Sequence, residues 1–142
     1  MTKRQGWEGH LTSYLRSIRL SEFTPSELDC AFFGVDCAAL ISSRPEVLKA
    51  IKFAKKFRGK YTTVARGKAL LARKGYTDHV DYVASVLEEH ESPLWAQRGD
   101  LAVVVEGENT ALGIVQGAKI YVMTPRGLGV VPLSMAVRAF KL

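Results

Sequence analysis

Residues 29–41 read DCAFFGVDCAALI. The run is long enough for about three helical turns. It is apolar on almost every side, and a helix with no polar face has to be buried. Whatever this chain folds into must therefore wrap around it. Asp36 is the one charge inside the run, and a carboxylate in such surroundings needs a partner. An Arg or Lys from the basic residues that follow, 44–74, is the expected one. Upstream, Thr24, Pro25 and Glu27 form a helix-start signal: a capping residue, a proline at the first helical position and an acid three residues after the cap. They predict a helix over residues 25–41 with Cys30 in its second turn. A start near Asp29 competes with that reading, and it would leave Cys30 at the helix mouth.

Both cysteines, Cys30 and Cys37, lie in this run, each preceded by Asp and followed by Ala. Seven residues apart on one helix, their Cα atoms would be about 10.5 Å apart, too far for a disulfide. The Asp-Cys-Ala echo reads as helix periodicity, and Asp29 and Asp36 are too far apart along the backbone to act as a catalytic pair. The histidines, His10, His79 and His90, have no ligand spacing to one another or to the cysteines. No metal and no cofactor is expected.

Trp7, Leu11, Tyr14, Leu15 and Ile18 recur at spacings of three and four and predict a helix over residues 7–20. Pro45 opens a helix over 46–57, Thr62 or Thr63 one over 63–73, and Asp78 one over 78–89. After Pro93 the period falls to two. Strands are predicted over residues 101–105, 111–116, 119–123 and 128–131, separated by turns rich in Gly and Pro. Ser134 then caps a last helix over 134–140. Helices first and sheet second make this α+β. The expected architecture is a single domain over 1–142, its helical N-terminal half packed on an antiparallel sheet of three or four strands.

The formal charge of +6 is uneven: residues 44–74 hold eleven Lys and Arg against Glu46 alone. With no aromatic-rich nucleic-acid motif beside it, the block reads as a solvated helical face. Lys49, Lys52, Lys55, Lys56, Arg58 and Lys60 are its candidates for contact with a partner protein; nucleic acid and small-molecule ligands are not expected. No apolar run approaches the ~20 residues of a membrane span. The basic N-terminus lacks the apolar core of a secretory signal, so synthesis in a reducing cytosol is expected.

Three motifs together resemble the NlpC-type cell-wall peptidases. They are Asp29-Cys30 before an apolar helix, Arg98-Gly99-Asp100-Leu101-Ala102-Val103 at a strand start, and Ala111-Leu112-Gly113-Ile114-Val115-Gln116-Gly117 in the next strand. The whole chain also resembles a family of small phage and prophage proteins encoded among tail-tip genes. That likeness rests on Trp7 and Leu11, the Asp-Cys-Ala helix, Arg58-Gly59-Lys60-Tyr61, the two strand motifs, and Gly127-Leu128 with Val131-Pro132-Leu133.

The resemblance implies a papain-like fold with Cys30 in the nucleophile's position. It also implies that the general base should stand at position 111, which holds Ala111. A thiol without a base or a depressed pKa is a poor nucleophile. The expectation is a non-catalytic structural or assembly protein of a phage tail tip, found in the virion and bound to neighbouring tail-tip or baseplate-hub proteins. In it Cys30 is the relic of a lost site. The alternative is an active cysteine peptidase or amidase on peptidoglycan, with Cys30 as nucleophile and a base from elsewhere.

Overall fold

The computed structural model describes residues 3–142 and, within them, every side chain but that of Glu106. Among these residues the helices come first: α1 (Trp7–Ile18), α2 (Phe32–Ile41), α3 (Pro45–Lys55), α4 (Val64–Arg73) and α5 (His79–Val86). The strands follow: β1 (Leu101–Glu106), β2 (Asn109–Gln116), β3 (Lys119–Thr124), β4 (Gly127–Pro132) and β5 (Ala136–Phe140). They form one antiparallel sheet in the order β4-β3-β2-β1-β5. The fold class is α+β.

Several expectations are corrected. Residues 134–140 are not a helix but a 3₁₀ turn, Leu133–Met135, followed by β5, which pairs with β1. Small and apolar residues there fit either period. What decides is β1, whose outer edge would otherwise present a row of unpaired N–H and C=O groups. The sheet therefore has five strands rather than three or four. The outer side of β5 is covered in turn: His90 N–H donates to the Ala139 carbonyl and Lys141 N–H to that of Glu88. Residues 88–90 are drawn along the sheet, so α5 stops at Val86 rather than continuing to 89.

A further correction concerns the central helix, which starts at Phe32 and not at Pro25. Residues 24–28 form a closed turn in which Thr24 and Leu28 exchange backbone hydrogen bonds, with Ser26 in the left-handed region at φ 67°. Asp29 does the capping that Thr24 was expected to do. Its Oδ1 accepts from the Ala31 and Phe32 amides at 2.9 and 2.8 Å. The other caps fall where expected: Pro45 at the first position of α3, Thr63 accepting from the Arg66 amide, and Asp78 accepting from that of Asp81.

Strand alternation divides the core. Leu101, Val103, Leu112, Ile114 and Met123 face the helices and share one cluster with Phe33, Cys37 and Ile41 of α2. Ala102, Val104, Val115, Ile120 and Val122 form a second cluster on the far face. Contact between α2 and the sheet is close. A Cβ at Gly34 would come within 2.7 Å of the Leu112 Cβ, so glycine is what lets the helix lie on β2.

Candidate functional site

The Arg58–Tyr61 turn clamps both acids of the Asp-Cys-Ala echo. Tyr61 donates its hydroxyl to Asp29 Oδ2 at 2.6 Å, an oxygen that also accepts from the Ser26 amide at 2.8 Å. Arg58 Nη2 meets Asp36 Oδ1 at 2.6 Å, and Tyr14 donates to Asp36 Oδ2 at 3.4 Å. Asp36 thus has the basic partner its surroundings require. Burial pushes its carboxyl up, and Arg58 pulls against that. Gly59, at φ 75°, turns the chain between the two clamps and donates its N–H to the Ser26 carbonyl. The echo therefore has a structural meaning that helix periodicity alone missed. Its signal in the sequence was the pairing of two Asp-Cys-Ala triplets with one Arg-Gly-x-Tyr.

Cys30 lies just before α2, at the helix mouth, with its carbonyl accepting from the Leu112 amide at 2.8 Å. A cysteine in that position gains thiolate character from free helix-start N–H groups. Here the Ala31 and Phe32 amides are already occupied by Asp29. The thiol is buried, and it is pushed up to about 12, first by that burial and then by the Asp29 carboxylate; Lys68 only partly opposes them. Cys37 is fully buried, and the same loss of water raises its thiol well above the ordinary range. Both cysteines are free.

Ala111 does not face Cys30. Alternation along β2 directs Leu112 and Ile114 toward the helices and Ala111 to the far face, where it pairs with Val104 and lines a groove with Val122 and β4. The histidine that shares a cleft with Cys30 is His79, at the start of α5. Cys30 and His79 line the same apolar cleft, whose other walls come from α2, α3, α4 and β2. His79 Nε2 lies 3.0 Å from the Thr110 carbonyl oxygen, with the Thr110 hydroxyl at 3.4 Å. A carbonyl can only accept, so Nε2 carries the proton and Nδ1 holds the lone pair. Burial lowers the pKa of the ring, with Asp78 and the Thr110 carbonyl working the other way. Among the described residues no hydrogen bond joins His79 to the Cys30 sulfur. No sequence spacing pointed to His79, because its place in the cleft arises from the packing of α5 against the start of β2.

The other candidates are structural or surface groups. Buried Asp100 accepts from His90 Nε2 at 2.8 Å, Lys3 Nζ at 3.0 Å and the Gln97 and Leu142 amides. It ties the N-terminal segment, the strand start and Leu142 together. His10 is exposed on α1. Lys49, Lys52, Lys55, Lys56 and Lys60 are exposed, but Arg58 is half-buried in its ion pair with Asp36 and leaves the surface set. Among the described residues there is no cluster of three or more His, Cys, Asp or Glu able to hold a metal. No helix among them is long and apolar enough to cross a membrane.

No curated protein and no solved structure matches the chain. A family model does, over residues 2–142, and the chain belongs to the family that it describes, the domain of unknown function DUF6950.

Proposed function

We propose that this chain is a non-catalytic structural or assembly component of a bacteriophage tail tip, built on a degenerate papain-like, NlpC-type peptidase scaffold. One observation carries the non-catalytic part. Cys30 holds the position that the sequence resemblance gives to a nucleophile, yet its thiol is buried, raised to about 12, and without a bonded base. The acid beside it, Asp29, spends both oxygens on holding the loop and the helix start together. A nucleophilic thiol needs the opposite environment, electropositive and partly open. The tail-tip part rests on the sequence resemblance, and the exposed lysines of α3 supply a surface for neighbouring tail or hub proteins in the virion. The free edge of β4 is a second such surface. The test is mass spectrometry of purified particles of the encoding phage, together with infectivity of a Cys30→Ala phage. Stoichiometric incorporation and unchanged infectivity are expected. Absence of the protein from particles contradicts the virion role and leaves only the assembly role, and a Cys30→Ala phage that cannot infect contradicts the non-catalytic reading.

A second reading has one observation in its favour. His79 shares the cleft with Cys30, and its Nε2–H is anchored on Thr110, which leaves Nδ1 free to take a proton. In that reading Cys30 attacks peptidoglycan peptides with His79 as base. Cell-wall hydrolysis by the purified protein, lost in both Cys30→Ala and His79→Ala, is its signature.

A further inference from the structure

The cleft beside Cys30 has one feature that neither reading uses. Helix α4 has no buried residue, yet Val64, Gly67, Lys68 and Leu71, spaced three and four apart on one face, line the cleft. Lys68 therefore stands in the apolar stripe of its helix. Arg66 and Arg73 on the same helix are exposed, whereas Lys68 is half-buried. It makes no hydrogen bond or ion pair to any described residue. The one carboxylate in the cleft wall, that of Asp29, is already taken by four donors. His79, neutral or cationic but never an anion, cannot pair with it. The rest of the wall is aromatic and aliphatic, with Phe32, Phe53, Tyr82, Val83 and Leu112 among its residues. The cavity volume is about 110 Å³, the scale at which apolar cavities take up a single ring rather than a long acyl chain.

An apolar chamber with a lone unpaired cation at its wall is complementary to one kind of molecule. We propose that the cleft binds a small carboxylate carrying one aromatic or branched apolar group, the group in the chamber and the carboxylate on Lys68 Nζ. This goes beyond the tail-tip reading and does not depend on it.

The test uses three probes of one shape and different charge, 4-phenylbutyrate, 4-phenylbutanol and 4-phenylbutylamine, titrated calorimetrically into the whole protein. The carboxylate is expected to saturate one site at least about tenfold more tightly than the alcohol, a factor that one charge-assisted contact supplies. The amine is expected not to bind. Lys68→Met keeps a good helix former and the apolar stem, and should bring the carboxylate down to the alcohol's affinity. Lys68→Glu should transfer the preference to the amine. Equal binding of the three probes, no saturable binding of the carboxylate, or a carboxylate affinity unchanged in Lys68→Met overturns the proposal.

Discussion

Replacing Asp29 by Asn should destabilise the fold far more than the loss of a surface charge would. The carboxylate is buried and accepts four hydrogen bonds: the Ala31 and Phe32 amides on Oδ1, the Ser26 amide and the Tyr61 hydroxyl on Oδ2. An Asn side chain has a single oxygen. If it takes the Oδ1 place, its NH₂ confronts the Ser26 N–H, donor against donor, while Tyr61 can rotate its hydroxyl to accept. One orphaned amide costs about 1–3 kcal/mol, and loss of charge assistance on the two remaining amide bonds adds about 1 kcal/mol. The expected total is about 3 kcal/mol. Asp29→Ala, which also removes the cap of α2, should cost about 4 kcal/mol. Tyr61→Phe, which removes one donor, should cost about 1–2 kcal/mol, and the Asp29→Asn/Tyr61→Phe double variant should lose less than the sum because the two groups share a bond. Urea unfolding followed by circular dichroism measures each. An Asp29→Asn protein within about 0.5 kcal/mol of wild type would refute the claim that this carboxylate organises the loop.

Three more predictions rest on the same geometry. Ala111→His should yield no hydrolytic activity and should destabilise by roughly 2–3 kcal/mol, because it adds an unpaired polar ring on the far face beside Val104 and Val122; denaturation midpoints and a peptidoglycan assay check both. Gly34→Ala should cost about 1–3 kcal/mol as α2 is pushed off Leu112, with Tm as the readout. His79 is held neutral by burial, so its folded pKa lies below its unfolded one. The unfolded chain then binds the extra proton as pH falls below about 6.5, and stability drops over that window. His79→Gln should flatten that part of the stability-versus-pH curve.

What the sequence made legible were features written in local chemistry. The buried helix, the Pro45 and Asp78 starts, the Gly- and Pro-marked turns between strands and the need of Asp36 for a basic partner are all local. The errors lie where tertiary pairing overrode local pattern. Residues 136–140 suit a helix until β1 offers an unsatisfied edge, and Thr24-Pro25 suits a helix start until Asp29 caps the Ala31 and Phe32 amides further along the chain. The candidate site was half legible. Cys30 and Asp29 could be singled out from their motif, and Ala111 from its strand. That Ala111 faces away, that His79 comes in from α5, and that Lys68 lines the cleft depend on strand parity and helix packing, which no spacing in the chain encodes.

The central claim is that Cys30 is an inert, buried thiol and not a resting nucleophile. Its rate of alkylation by iodoacetamide, measured across pH in the folded protein with Cys37 replaced by Ser, tests this directly. A thiol raised to about 12 should react slowly and keep accelerating about tenfold per pH unit up to the alkaline limit of the fold. A fast reaction that levels off near neutral pH, and loses that plateau in His79→Ala, would mean a working thiolate–imidazolium pair and would contradict the account.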